Sequence, residues 1–285
     1  MNNQSIRKTE ENIAKILMII SISIVLLSLL GIILIIFVKG LPALNFSMLF
    51  ETPKEGYYLG GSGGIANAIV GSFYLSLGGI IISLFFALPL AFALQKDYLP
   101  KKITAFTRFI LDVLCGVPSI VYGVFVFLIM KFFTIRASLL GGIITLAILM
   151  LPLMTRSMEE VIRLVPAELR EASYSLGATR FETTFKVLFK QALPGILIAI
   201  LVAFGRGIGD AASILFTAGY TDSIPTSLLD PVASLPLAVF FQLSTPVPEV
   251  QQRAYAAAII LLGIILIVTF TSRYLNNKFA KYTIH

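Results

Sequence analysis

The sequence predicts an all-α integral membrane protein with six transmembrane helices. Hydrophobic residues make up 57% of the 285 residues, charged residues only 13%, and the mean hydropathy is +0.92. A soluble domain cannot hide so much apolar surface in its core. Apolar runs close to the roughly 20 residues that a spanning helix needs recur along the chain. We place the six spans at residues 14–38, 67–94, 109–133, 138–155, 192–216 and 254–274.

The first span is predicted to be a permanent anchor helix. Its apolar run is too long for a signal-peptide core, and no small-residue cleavage site follows it. Six crossings place both termini on one side, and that side carries sixteen of the 22 Lys and Arg residues. The positive-inside rule therefore predicts cytoplasmic termini. The net charge of +7 is then a signal of topology, which disfavours a nucleic-acid partner.

Two exterior loops have distinctive compositions. The loop from Lys39 to Ala66 contains four glycines close together and is predicted to be a flexible approach to the second span. The loop from Thr217 to Gln252 holds five prolines around an apolar run, residues 232–241, that is too short to span. We expect an interfacial or re-entrant helix there.

The polar segment between the fourth and fifth spans, residues 157–191, is predicted to form two helices joined by a turn. Ser157 with Glu160, and Thr179 with Glu182, have the spacing of capping boxes at helix starts. Gly177 fits a left-handed helix stop between them. A loop with this much local signal is more than a connector.

Each of these two helices is predicted to carry an apolar face. A proline at position 166 suits the start of the first helix. The residues at helical spacing are Leu169, Ala172 and Leu176 on the first helix, and Phe181, Phe185, Leu188 and Ala192 on the second. Such faces need a partner surface. The alternative is an amphipathic hairpin that lies on the lipid surface.

Two ionisable residues, Arg206 and Asp210, lie within the predicted fifth span. Four residues apart on a helix, they share a face and can form an ion pair. One interpretation is a structural pair that holds two helices together. The other is a lined path for an anion, because intramembrane charges usually serve function and the planar arginine fork suits a tetrahedral oxyanion.

The sequence offers little for catalysis. It contains no Walker A spacing, and its acidic residues lack metal-ligand spacing. The single cysteine, Cys115, excludes an internal disulfide, and the one histidine is the final residue, His285. We therefore predict a protein with no enzymatic activity of its own, no cofactor and no bound metal.

A short motif in the cytoplasmic segment carries a resemblance. Glu171, Ala172, Leu176, Gly177 and Ala178, followed by a Pro-Gly pair at 194–195, resemble the coupling motif of ABC importer permeases. In that superfamily the helix pair docks into a groove on the ATPase. The resemblance implies a type I, MetI-like permease core, here preceded by an additional N-terminal helix.

A narrower resemblance is to the A-type permease subunit of phosphate importers. It rests on GGIANAIVGS (63–72), GVPSIVYG (116–123), the Leu-Pro and Val-Pro pairs at 151 and 165, and FTAG (216–219). It implies that Arg156, Arg206 and Asp210 line the substrate path. The family tends to have GETAP where this chain has GDAAS, so aspartate replaces the usual glutamate at position 210.

The resemblance also implies an assembly and a location. The expected partners are a homologous permease subunit in a heterodimer, two cytoplasmic ATP-binding subunits, an extracytoplasmic phosphate-binding protein and membrane lipid, in a bacterial or archaeal cytoplasmic membrane. The expected regions are an anchor helix with the first exterior loop (1–60), the transport domain (61–275) and a cytoplasmic tail (276–285). The alternatives are a permease for another oxyanion such as molybdate, an ATP-independent secondary transporter or channel, and a membrane scaffold that transports nothing.

Overall fold

The computed structural model describes residues 3–95 and 98–279, and these residues are mostly helical. In chain order the α-helices are α1 (Asn3–Gly40), α2 (Phe46–Phe50), α3 (Ala66–Ala93), α4 (Lys101–Gly116), α5 (Ser119–Phe132), α6 (Leu139–Arg163), α7 (Ala167–Ser175), α8 (Arg180–Thr183), α9 (Phe189–Ile208), α10 (Leu235–Leu243) and α11 (Pro248–Phe279). A π-helical turn, Thr184–Leu188, joins α8 to α9 without a break. Most of the predicted tail, residues 280–285 with His285, lies outside the described residues, as does Lys96.

Six spans are present if one of them is bent. Among the described residues, five helices are long and apolar enough to cross a membrane: α1, α3, α6, the continuous helix from Arg180 to Ile208, and α11. The third predicted span is the pair α4 and α5, which meet at 99°. The bend has a local cause, because Val117 precedes Pro118 and both are extended, with ψ of 130° and 137°.

Two predicted boundaries are wrong. The fourth span does not end before Ser157, because α6 continues to Arg163 and places Ser157 and Glu160 inside the helix, where they form no capping box. Met158 and Ile162 are buried on its inner face, so core packing outweighs the local capping signal. The fifth span does not reach residue 216, because α9 ends at Ile208.

The core lies where α3, α6 and α9 pack together. Three methionines of α6, Met150, Met154 and Met158, are fully buried along this seam. Small residues bring the helices close: a Cβ on Gly79 would lie 2.9 Å from Leu146, and one on Gly195 would lie 3.1 Å from the Val161 Cβ. Close approach at small residues is how membrane helices gain packing contacts without a hydrophobic drive.

Helix α1 lies at the edge of this bundle. Its most apolar stretch has no buried residues, and it packs against α11 near Gly40, where a Cβ would lie 2.7 Å from the Tyr255 backbone. Almost all of its apolar surface therefore faces outward, toward lipid or another subunit.

The first of the two predicted exterior loops packs against the second and against α11: the Tyr58 hydroxyl donates a hydrogen bond of 2.5 Å to Oδ1 of Asp222. Arg253, near the start of α11, donates hydrogen bonds to the backbone oxygens of Tyr57, Gly60 and Gly61, and its guanidinium stacks on the Tyr57 ring. The glycine-rich loop is thus tied down, and its prediction as a flexible approach is wrong. The predicted short helix after the fifth span is confirmed as α10, whose residues Leu235 and Leu237 are fully buried.

Candidate functional site: an interrupted helix and a cytoplasmic helix pair

The predicted fifth span is helical only in its first part, up to Ile208. Beyond Ile208, residues 209–219 continue as turns, which we call the outer turn segment. Two glycines allow neighbouring helices to pack closely against this segment. A Cβ on Gly123 of α5 would lie 3.0 Å from the Ser213 carbonyl carbon, and one on Gly141 of α6 would lie 2.9 Å from the Thr217 backbone oxygen. Non-helical backbone at membrane depth is tolerated where protein covers it, and interrupted helices often form substrate sites in transporters.

Arg206 and Asp210 lie at this interruption. The Asp210 side chain is only 7% exposed, and its Oδ1 accepts a hydrogen bond of 2.8 Å from the Ser213 backbone N–H. Its Oδ2 lies 3.9 Å from Nη2 of Arg206, at the outer limit of an ion pair. The Arg206 side chain is 57% exposed. The predicted pairing is therefore confirmed as a loose contact, but Asp210 lies beyond the helix and serves first to cap the turn.

The depth of Arg206 follows from the helix register. Gly195 of α9 faces Val161 of α6, and Gly207 faces Met150, so the two helices run antiparallel. Arg206 is thus level with about residue 151, the middle of α6. Arg156 lies five residues nearer the C-terminal end of α6, about 8 Å along the axis. Each arginine occupies its own level.

Arg156 belongs to an ionic network, which we call the four-residue network: Arg108, Asp112, Arg156 and Glu159. Nε of Arg156 lies 2.9 Å from Asp112, and Nη1 lies 2.8 Å from Glu159. Nε and Nη2 of Arg108 both lie 2.6 Å from the other Glu159 oxygen. Glu159 is 2% exposed, so two guanidinium groups enclose a buried carboxylate. The network joins residues 108–112 of α4 to the last turns of α6.

The helix pair between α6 and α9, formed by α7 and α8, has the predicted turn. Gly177 adopts φ +79°, the left-handed conformation that favours glycine, and ends the first helix. Thr179 and Glu182 form the predicted capping box, which is confirmed. Pro166 directly precedes α7, and Ser173 and Thr183 hydrogen-bond across the turn at 2.9 Å. The pair is a defined unit.

The five residues of the predicted coupling motif lie at this turn: Glu171, Ala172, Leu176, Gly177 and Ala178. All are exposed apart from Ala178, which is half-buried. Leu176 is 88% exposed, and Phe181 is also well exposed beside it. Two large apolar side chains at the tip of a polar hairpin form a surface that suits contact with another protein.

The root of the helix pair contacts the end of α3. Phe92 of α3 lies 6.3 Å from both Phe185 and Phe189, measured between ring centroids. The Tyr98 hydroxyl donates a hydrogen bond of 2.8 Å to the Arg180 carbonyl. The helix pair is therefore joined both to α9, which continues it, and to the connection between α3 and α4.

The structure brings some predicted residues together and keeps others apart. Arg206 and Asp210 meet, and the five motif residues extend from the middle of α7 to the turn after it, whereas Arg156 lies at a separate level. Sequence reasoning missed Arg108, Asp112 and Glu159. The i,i+3 spacing of Arg156 and Glu159 indicates an ion pair on one helix face. The apparent capping box at Ser157, however, places Glu159 outside the predicted span.

Comparison with known proteins agrees with this architecture. The family model described as "Binding-protein-dependent transport system inner membrane component" matches residues 79–281. The phosphate transport system permease protein PstA of Xylella fastidiosa is 33% identical over 84% of this chain and 84% of its own length. PstA of Yersinia pestis is 32% identical over 93% and 90%. A probable ABC transporter permease protein of Bacillus subtilis, YqgI, is 29% identical over 96% and 98%.

Solved structures share the fold. A chain of the inward-facing MetNI methionine ABC transporter superposes with a TM-score of 0.59 at 16% identity, over 74% of this chain and 94% of that chain. A chain of an amino acid ABC transporter gives 0.54 at 20% identity, over 76% and 92%. The expected MetI-like, type I fold is confirmed. With a family match over residues 79–281 and relatives above 30% identity over most of its length, the chain belongs to the family of binding-protein-dependent transport system inner membrane components.

Proposed function

We propose that this chain is the permease subunit of an ATP-driven importer that carries inorganic phosphate into the cytoplasm by alternating access. The family membership and the names of the PstA relatives support this proposal. ATP hydrolysis belongs to separate subunits, and an extracytoplasmic binding protein delivers the ion. Residues 61–275 form the transport domain, and both termini lie in the cytoplasm.

One observation carries the proposal: a mostly exposed arginine at the middle of the spans. A guanidinium in hydrocarbon is very unfavourable, so such residues face a bundle interior or a water-filled cavity. Arg206, 57% exposed in this chain alone, must therefore face a partner subunit or an aqueous path. That requirement favours a heterodimer with a homologous permease, which closes the other side of the path.

The site suits a phosphate ion. The guanidinium fork donates parallel hydrogen bonds to two oxygens of a tetrahedral anion. Asp210 is held by the Ser213 N–H and touches Arg206 only at 3.9 Å, so it balances charge without occupying the fork. Arg156, about 8 Å further inward, is a second cationic position on the way to the cytoplasm.

The cytoplasmic helix pair supplies the coupling. Leu176 and Phe181 present the exposed apolar tip, and Glu171, Ala172, Gly177 and Ala178 shape it for a groove on the ATPase. Closure of the ATPase subunits moves this tip, and the two-state shift reaches the path through the continuous helix.

The test is uptake of radiolabelled phosphate into proteoliposomes that hold this chain with its permease and ATPase partners, with binding protein outside and ATP inside. We expect ATP-dependent uptake in the wild type and at least a hundredfold loss in Arg206→Gln, with the complex still assembled. Arg273→Gln, at the cytoplasmic end of α11, is the matched control and should transport normally. Uptake without ATP would replace the proposal with a secondary transporter, and uptake of molybdate alone would change the substrate.

The coupling role needs its own variant. Glu171→Lys reverses a charge at the exposed turn and should abolish phosphate uptake while the chain still reaches the membrane. Normal uptake in this variant would contradict the coupling role of the helix pair and leave the phosphate path intact as a proposal.

A further inference from the structure

We propose that Asp112 is an internal counter-anion for Arg156, and that phosphate displaces Asp112 from Arg156 as the ion passes toward the cytoplasm. The inference rests on the proposed function and assigns a role to a residue outside the predicted site. Asp112 occupies one edge of the Arg156 guanidinium, at 2.9 Å from Nε, where a substrate oxygen would bind.

The two carboxylates on Arg156 have different surroundings. Glu159 is 2% exposed and is also held by two Arg108 nitrogens at 2.6 Å. Asp112 is 57% exposed, and Arg156 is its one salt-bridge partner among the described residues. Releasing Glu159 would leave a charge buried without a partner, whereas Asp112 has an open side in this chain and loses Arg156 at little cost where that side faces the aqueous path. Glu159 therefore fixes Arg156 in place, and Asp112 is the exchangeable partner.

Charge balance gives the exchange its direction. The four-residue network holds two cations and two anions, so it is neutral when all four groups are ionised. Withdrawal of Asp112 leaves one net positive charge at a guanidinium with an open edge, which attracts an oxyanion. Return of Asp112 displaces the ion. The carboxylate thus prevents Arg156 from retaining phosphate at the cytoplasmic end of the path.

The network is also connected to the coupling apparatus. Nη2 of Arg108 donates a hydrogen bond of 3.2 Å to the Leu94 carbonyl at the end of α3. Tyr98, four residues later, binds the Arg180 carbonyl at the root of the helix pair. A shift of the helix pair therefore changes the position of α4, and with it the distance between Asp112 and Arg156.

The experiment measures inhibition of uptake by phosphate trapped inside the proteoliposomes. In Asp112→Asn, half-inhibition should occur at a roughly five- to tenfold lower internal phosphate concentration, because the competing anion is gone. Glu160→Gln is the matched control, since Glu160 is exposed and acts on Arg156 only through a weaker charge attraction than Asp112 does, so its removal should shift the value far less. The shift should vanish in the double variant Asp112→Asn with Arg156→Gln. An unchanged value in Asp112→Asn would overturn the inference.

A second measurement uses the single cysteine. Cys115 is exposed on α4, three residues from Asp112. Modification of Cys115 by a negatively charged thiosulfonate, followed by peptide mass spectrometry on the assembled complex without ATP, should be slowed by inorganic phosphate. Protection should need less phosphate in Asp112→Asn and disappear in Arg156→Gln. Equal protection in all three proteins would refute the exchange, while absence of any phosphate uptake in the wild type would refute the proposed function instead.

Discussion

Replacing Gly123 by alanine tests whether the outer turn segment is held by close packing. The new Cβ would lie 3.0 Å from the Ser213 carbonyl carbon and closer still to its oxygen. Carbon atoms in contact normally stand about 3.5–4.0 Å apart, so α5 and the segment must separate by up to about 1 Å. The obstructing atoms are backbone and cannot rotate away.

The expected cost follows from two opposing terms. Overpacking of this kind costs about 1–3 kcal/mol, and a backbone obstruction belongs at the upper end of that range. Alanine in a helix interior gains about 1 kcal/mol over glycine, which leaves a net destabilisation of about 2 kcal/mol. The shift also displaces Ser213, whose N–H holds Asp210, so phosphate uptake should fall at least tenfold.

The assay compares Gly123→Ala with Gly263→Ala in the same purified complex. Gly263 lies inside α11, and a Cβ there would meet nothing within 4 Å, so that variant gains helix propensity without a clash. Thermal unfolding in detergent and uptake in proteoliposomes are measured for both. Equal melting temperatures and equal uptake in the two variants would refute the packing argument.

Three further predictions concern other parts of the chain. Glu159→Ala leaves two arginines facing each other and should cost about 3 kcal/mol, visible as a lower melting temperature, whereas Asp112→Asn should cost less than about 1 kcal/mol. In Gly177→Ala the alanine must adopt φ near +79°, which should cost about 1 kcal/mol of local stability. Amide exchange at residues 173–183 should therefore be faster, and unchanged exchange would refute this backbone strain. Hydrogen bonds from the backbone N–H groups of Ser227 and Thr226 lower the pKa of Asp230. The ionised carboxylate therefore stabilises this loop at pH values above the ordinary pKa of Asp, and the stabilisation is lost as the pH falls through the lowered pKa. The protection of the amides near residues 226–230, taken relative to the slower intrinsic exchange at low pH, should therefore fall on acidification in the wild type, and this fall should be smaller in Asp230→Asn.

The features that could be predicted from the sequence have short-range causes. Span count follows from apolar length, and the turn at Gly177 follows from glycine conformation and the Thr179 cap. The fifth span could not be predicted correctly, because residues 209–216 are as apolar as a helix, and what ends the helix is tertiary: Gly123 and Gly141 admit a turn that few other residues would allow. The hydrophobic pattern of the fifth span does not show that glycines of α5 and α6 lie against it.

The four-residue network shows the same limit. Arg108 and Glu159 are 51 residues apart, and nothing in the sequence indicates that the bend at Pro118 places α4 against α6. Aspartate at position 210 suits the turn, because its short side chain reaches the Ser213 N–H three residues on.

The continuous helix from Arg180 to Ile208 has a mechanical consequence. If it tilts about its close contact at Gly195 and Val161, Arg206 lies about 16 Å from the pivot and Arg180 about 22 Å on the other side. A displacement of about 2 Å at Arg180 then carries Arg206 about 1.5 Å the opposite way. Such a step is enough to close the 3.9 Å gap to Asp210 into a hydrogen bond, or to open it fully. If this helix tilts as one body, a displacement at the helix pair would change the contact between Arg206 and Asp210 directly.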